Sequence, residues 1–117
     1  SAALEGIVIK NTKSDEIKTF DASALFVFIG VRPQSQLVAD LVIRSEKGYV
    51  FTGPDLMKDK NPPPNWTLER DPFLLETSTP GIFAAGDVRY GTSHRVASAV
   101  GEGAIAYALM KEYLKSL

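Results

Sequence analysis

The stretch TSTPGIFAAGDV, residues 77–88, decides the fold of this chain. A proline-glycine turn leads into an apolar segment, residues 82–85, which predicts a small buried strand. The strand ends at Gly86 and Asp87, and ligands of α/β folds bind at the carboxyl ends of strands. A glycine there lets a ligand approach the backbone, and an ionised aspartate only accepts hydrogen bonds. Taken alone, such a pair is more often a turn and a helix cap.

A long helix is predicted after this stretch, over residues 95–117. Its first free N–H groups and positive dipole end would face the same sheet edge as Asp87. Thr92 or Ser93 is placed to cap its start. Glu102, one turn into the helix, is expected only to complement the dipole. One apolar stripe is expected from residues at spacings of three and four: Val96, Ala99, Val100, Gly103, Ala106, Tyr107, Met110, Tyr113, Leu114 and Leu117.

The upstream part of the chain predicts short strands. Residues 4–10 and 17–20 indicate a β-hairpin. Residues 24–29 are apolar without alternation, which is typical of a strand buried on both faces, and a hinge follows between Gly30 and Pro33. Further predicted elements are a short helix within residues 35–42 and short strands at residues 48–52 and 73–77.

A proline-rich stretch, residues 53–72, interrupts these elements with five of the seven prolines of the chain. Proline cannot donate a backbone hydrogen bond and restricts its predecessor, so the stretch predicts a long surface loop, pinned to the body by Trp66.

Composition narrows the classes of function. The chain has 117 residues, a net charge of −1, no cysteine and a single histidine, so no strongly basic nucleic-acid face, disulfide or multi-histidine metal site is expected. The longest apolar run, residues 24–31, is too short to cross a bilayer, which takes about 20 helical residues. We therefore expect a cytoplasmic protein without a membrane or nucleic-acid partner.

The stretch 77–88, with VASAVGEGA at residues 96–104, resembles the second FAD-binding motif of thioredoxin-reductase-like pyridine nucleotide-disulfide oxidoreductases. The resemblance implies that Asp87 holds the ribityl chain of FAD. It places the backbone at the helix start beside the flavin pyrimidine edge, where the dipole would stabilise the negative charge of reduced flavin. It implies no catalytic side chain and no metal. The expected cofactor-binding residues are Gly86, Asp87, His94, Arg95, Val96 and Ala99.

The resemblance covers nearly the whole chain and implies an α/β fold in two parts. Residues 1–29 would be the last hairpin and strand of an NAD(P)H-binding domain. Residues 30–117 would be the C-terminal part of a discontinuous, Rossmann-like FAD-binding domain that carries the loop at 53–72. The chain lacks GxGxxG and CxxC motifs, which lie upstream in the family, so we expect an inactive fragment that needs the missing N-terminal part.

The implied activity passes reducing equivalents from NAD(P)H through FAD to a disulfide, as in a thioredoxin-like protein, or to another acceptor, within a homo-oligomer. The most similar subgroup is fused to response-regulator or cyclic-nucleotide-binding domains, because its members share the loop and the helix start. Thioredoxin reductases usually carry Arg-Gln in place of His94-Arg95, so backbone contacts with the flavin are expected there. His94 could also act as an acid, although a lone histidine is more often structural. The alternatives are a non-catalytic docking or dimerisation module and a ferredoxin-NADP reductase of similar fold.

Overall fold

The computed structural model describes residues 3–117, which belong to two compact units, one ending at Val31 and one covering Arg32–Leu117. The first unit contains two strands, β1 (Gly6–Lys10) and β2 (Ile17–Asp21). The second unit contains one long helix, α1 (Val96–Lys115), and three single-turn 3₁₀ helices at Gln36–Val38, Gly53–Leu56 and Gly86–Val88.

The predicted hairpin is present in the first unit. Strands β1 and β2 pair antiparallel, from Gly6 opposite Asp21 to Lys10 opposite Ile17. The connection between them is shaped by the side chain of Asn11, whose Oδ1 accepts the N–H groups of Lys13 at 2.8 Å and Ser14 at 3.2 Å. Such an Asx turn satisfies the backbone of a short connection without help from other elements.

The predicted strand at residues 24–29 is absent from the structure. The segment has no strand pairing within the described residues, and its large apolar side chains are exposed, Phe28 and Ile29 at 91% each. A strand exists only where a second strand satisfies its N–H and C=O groups. The segment is therefore apolar enough for a buried strand, but no described part of this chain pairs with it or covers its side chains.

The other predicted strands of the second unit shrink to single-residue bridges. Val50 pairs antiparallel with Arg44 and parallel with Arg89, and Glu76 pairs antiparallel with Phe83. Residues 82–85 are only partly buried, so the prediction of a fully buried strand there was wrong. The predicted helix near residues 35–42 is reduced to one 3₁₀ turn. The buried apolar residues of this unit are Val42, Val50, Leu56, Leu75 and Ala106.

Helix α1 forms where the apolar periodicity predicts it, but its predicted cap and face were wrong. The residue at the N-cap is Arg95, which makes no capping hydrogen bond, so neither Thr92 nor Ser93 caps the helix. The face covered by this chain contains Ala99, Glu102 and Ala106, with Tyr113 further along. Most of the predicted stripe lies on a face rotated by about 100° around the helix axis from the covered face. Its residues Val96, Val100, Tyr107 and Leu114 are exposed.

The insert, residues 53–72, is attached to the second unit more closely than a surface loop would be. Leu56, Pro63 and Pro72 are buried. Trp66 does pin the segment, through its Nε1–H, which donates to the carbonyl of Arg70 at 2.6 Å. Most other residues of the insert are exposed, including the whole tip at residues 58–61.

Candidate functional site

The 3₁₀ turn Gly86–Val88, called the Gly86 turn below, follows the bridge residue Phe83 in the chain and packs against helix α1. Gly86 has φ +74°, in the left-handed region that disfavours side chains. A Cβ built at this position would lie 3.2 Å from the Cβ of Ala99 on α1. Two separate constraints therefore require glycine here, and the close approach sets the distance between the turn and the helix.

Asp87 follows this glycine and presents its carboxylate to solvent. Its side chain is 53% exposed, and Nδ1 of the His94 imidazole lies 3.9 Å from its Oδ1. Within the described residues no hydrogen-bond donor reaches this carboxylate. His94 itself has φ +52° and stacks on Tyr49 with ring centroids 5.7 Å apart. The Asp87 oxygens are thus free to accept hydrogen bonds from a ligand.

The start of α1 adds hydrogen-bond donors on the same side of the molecule. Arg95 is extended, and no side chain caps the helix. The first intrahelical bond runs from Ala99 N–H to the carbonyl of Arg95 at 3.0 Å. The amides of the residues between them therefore have no intrahelical acceptor, which is the general condition of a helix start. Val96 is 83% exposed, so the first turn is accessible.

Glu102 and Arg89 connect the Gly86 turn to α1, and sequence reasoning missed this pair. Glu102 Oε2 accepts the Gly86 N–H at 2.6 Å and Nε of Arg89 at 3.1 Å. Its Oε1 accepts Nη2 of Arg89 at 2.8 Å, and Nη1 of Arg89 donates to Thr52 Oγ1 at 2.8 Å. The hydrogen bond from Arg89 lowers the pKa of Glu102 despite its burial. Glu102 is therefore a hydrogen-bonding partner of the turn as well as a charge near the dipole.

A second ion pair lies at the base of the insert. Arg70 makes two hydrogen bonds with the fully buried carboxylate of Glu76, at 2.6 Å and 3.0 Å. Glu76 also accepts the N–H groups of Phe73 and Gly81. Burial raises the pKa of Glu76, but these hydrogen bonds outweigh burial and leave it below its usual value. The Arg70 guanidinium lies over the Phe73 ring, 3.9 Å from its centroid, which shields the pair from water.

An open cleft of about 820 Å³ borders the site. Its walls include two aromatic contacts, Tyr49 with His94 and Phe51 with Tyr90. The hydroxyl of Thr92, which also lines the cleft, is buried and has no hydrogen-bond partner in the described part of the chain. The cleft therefore combines aromatic walls with charged side chains such as Arg44, Glu46 and Lys47, and has an unsatisfied hydroxyl at its edge.

Neither a metal-ligand cluster nor a membrane-spanning helix occurs among the described residues. Between residues 3 and 117, no group of three or more acidic or histidine side chains is placed to hold a metal ion. In the same range, no helix combines the length and apolar character needed to span a bilayer.

Comparison with known proteins identifies the family. A family model described as pyridine nucleotide-disulphide oxidoreductase matches residues 2–103. The chain belongs to this family. Its members bind FAD and NAD(P)H and act as oxidoreductases.

The relatives of this chain include thioredoxin reductases. The enzyme of Peptoclostridium litorale is 32% identical over 120 residues, which cover 97% of this chain and 32% of that protein. Thioredoxin reductase 1 of Saccharomyces cerevisiae is 33% identical over 114 residues, which cover 97% and 30%. The structure of Lactococcus lactis thioredoxin reductase matches with a TM-score of 0.64 at 28% identity over 97% of this chain and 31% of that one. The chain spans less than a third of these relatives.

The six predicted site residues lie along one continuous region from the Gly86 turn to the first turn of α1. Gly86 contacts Ala99, and Asp87 faces His94. Arg95 and Val96 form the start of α1. Sequence reasoning missed Glu102, Arg89 and Thr52. A glutamate between two glycines on the helix was the available signal, but its partner lies 13 residues away and only folding brings them together.

Proposed function

We propose that this chain is the C-terminal part of a thioredoxin-reductase-like flavoprotein that passes reducing equivalents from NAD(P)H through FAD to a disulfide or another acceptor. Its own role would be to hold the ribityl chain and the pyrimidine end of the flavin. The observation that carries the proposal is the free, half-exposed carboxylate of Asp87, fixed beside the uncapped start of α1.

The chemistry of these residues fits a flavin with a sugar-alcohol chain. Asp87, as an acceptor without a protein donor, suits ribityl hydroxyls, which have hydrogens to donate. Gly86 is buried with its Cβ position directed at Ala99, so this residue packs the turn closely against α1 and leaves the exposed Asp87 as its ligand-facing neighbour. FAD, when bound, supplies the hydride acceptor and donor that the side chains of this part of the enzyme do not supply.

The start of α1 would stabilise charge at the pyrimidine end of the flavin. Backbone N–H groups at a helix start, together with the positive end of the dipole, favour carbonyl oxygens and negative charge. Arg95 is exposed beside them and adds a positive charge. His94, with its strained backbone and its stacking on Tyr49, would fix the path of the chain into the helix.

The domain assignment is part of the same proposal. Residues 1–29 would end an NAD(P)H-binding domain, and residues 30–117 would complete a discontinuous Rossmann-like FAD-binding domain whose remainder precedes this chain. The lengths of the relatives support this, since they extend over more than three times the matched part. The insert and the His94-Arg95 start favour the subgroup fused to response-regulator or cyclic-nucleotide-binding domains. We further propose a cytoplasmic homo-oligomer that acts on a thioredoxin-like protein.

The test is the absorption spectrum of the full-length protein that contains this chain. We expect the two visible bands of oxidised flavin, which should bleach when NADH or NADPH is added without oxygen. Reoxidation by a thioredoxin disulfide would identify the acceptor as a dithiol protein, whereas reoxidation by ferredoxin alone would indicate the ferredoxin reductase. A folded protein that stays colourless and takes up no FAD would contradict the proposal.

A further inference from the structure

We propose that Glu102 and Arg89 are positioning residues of the flavin site. By fixing the Gly86 turn against α1, they would hold the carboxylate of Asp87 where the ribityl chain passes. This inference rests on the proposed function, because it assigns the pair a role in binding FAD through Asp87.

The contact that separates this pair from an ordinary ion pair is the bond to the backbone of the turn. Glu102 accepts the N–H of Gly86 at 2.6 Å, and Gly86 immediately precedes Asp87. The same Glu102 oxygen also accepts Nε of Arg89, three residues further along the chain. One carboxylate therefore holds both ends of the short segment that carries Asp87.

The arrangement uses both oxygens of Glu102 and all three guanidinium nitrogens of Arg89. Both Glu102 oxygens accept hydrogen bonds, and Arg89 uses three nitrogens, two for Glu102 and one for the completely buried Thr52. The two charged side chains are each only 15% exposed, so water competes weakly for these bonds. Glutamine at position 102 would offer a single acceptor oxygen, and lysine at position 89 could not make the forked contact.

The chain offers a matched control in the pair of Arg70 and Glu76. This second pair is also forked, and its carboxylate is completely buried. Glu76 accepts the backbone N–H groups of Phe73 and Gly81, and the pair makes no bond to the Gly86 turn. Changes to it should lower stability without the specific effect on flavin binding.

The experiment uses the full-length flavoprotein, stripped of FAD and titrated with FAD and separately with ADP. ADP carries the half of FAD that does not reach Asp87. We expect Glu102→Gln and Arg89→Lys to raise the Kd for FAD about tenfold, since one charge-assisted hydrogen bond has about this effect, and to leave the Kd for ADP unchanged. Glu76→Gln should lower the melting temperature at least as much as Glu102→Gln does. Below its unfolding transition, Glu76→Gln should keep the wild-type affinity for FAD.

A double-mutant comparison decides whether the pair acts through Asp87. In an Asp87→Ala background, Glu102→Gln should weaken FAD binding by much less than tenfold, because the group it positions is gone. An undiminished effect there, an equal loss of ADP binding, or wild-type FAD affinity in both Glu102→Gln and Arg89→Lys would overturn the inference. Asp87→Ala alone distinguishes the two claims: wild-type affinity in that variant would sink the proposed function itself.

Discussion

At Gly86, backbone conformation and packing can be separated experimentally. We expect Gly86→Ala to cost about 1–2 kcal/mol for the left-handed backbone and more for the Ala99 contact at 3.2 Å. FAD binding should weaken as well, because the turn must move away from α1. The comparison is Gly91→Ala, which has nearly the same φ of +73° and open space around its Cβ position. Melting temperatures that fall equally in both variants would show that the contact with Ala99 contributes nothing.

Two glutamates in ion pairs, Glu76 and Glu102, make the stability of the fold depend on acid pH. Both have pKa values lowered in the folded chain, Glu102 by the Arg89 hydrogen bond and Glu76 by hydrogen bonds that outweigh its burial. A lowered folded pKa contributes stability that is present above the unfolded value of 4.5 and lost as pH falls through the folded pKa.

We therefore expect the melting temperature of the full-length protein to fall steeply below about pH 4.5. Glu76→Gln should be destabilised near neutral pH by about 3–5 kcal/mol, because Arg70 loses its partner, and should show a shallower acid dependence. Thermal unfolding followed from pH 7 to pH 3 gives both quantities. If the melting temperature falls equally with pH in the wild-type protein and in Glu76→Gln, the pKa of Glu76 does not change on folding.

Single residues could be predicted from sequence where local chemistry was sufficient. Gly86 and Asp87 could be singled out as candidates because an apolar segment that ends in glycine and a carboxylate is typical of ligand sites in α/β folds. Glu102 was given only a dipole role, since its helix position explained it without a partner. The hydrogen bonds between Glu102 and Arg89 join positions 13 residues apart, and the bond from Arg89 to Thr52 joins positions 37 apart. No local pattern encodes such distances.

At the scale of elements, the tip of the insert should be independent of the flavin site. Lys58 and Asn61 pair across Asp59 and Lys60, both of which have positive φ, at 50° and 64°. This geometry is a type I′ turn, which favours Asn-Gly. We expect Asp59→Asn with Lys60→Gly to gain about 1 kcal/mol of stability and to leave FAD content unchanged.

The control for this tip is Lys47→Gly, an exposed lysine outside the left-handed region, which should gain no stability. A loss of flavin from the tip variant would mean that the tip of the insert contributes to the flavin site, which would contradict this expectation.

Element prediction succeeded for the helix and the hairpin and failed for the isolated strands, for one reason. A helix satisfies its own backbone, and the hairpin satisfies its backbone between two neighbouring segments, so local sequence is enough. Residues 24–29 and 48–52 need partners that this chain provides barely or not at all. The face of α1 was mispredicted because its periodicity describes apolar positions on two adjacent faces, and only contacts within the unit decide which one is covered.

At the scale of the whole molecule, the exposed apolar surface predicts that the isolated chain associates with itself. Phe26 and Phe28 in the first unit and Val96, Tyr107 and Leu114 in the second are more than half exposed. Each 100 Å² of such surface buried contributes about 2.5 kcal/mol, which has to exceed the entropy lost on association. Light scattering on the purified 117-residue chain should show dimers or larger species, and a monomer at high micromolar concentration would contradict this expectation.

The central claim, that Asp87 holds the ribityl chain of FAD, is tested most directly by the FAD affinity of Asp87→Ala in the full-length protein. Loss of a charge-assisted hydrogen bond costs about 1.5–3 kcal/mol, so the Kd for FAD should rise about 10- to 100-fold. Asp71→Ala, at an exposed aspartate on the insert, is the matched control and should bind FAD normally. Wild-type affinity in Asp87→Ala, measured on folded protein beside this control, would contradict the account.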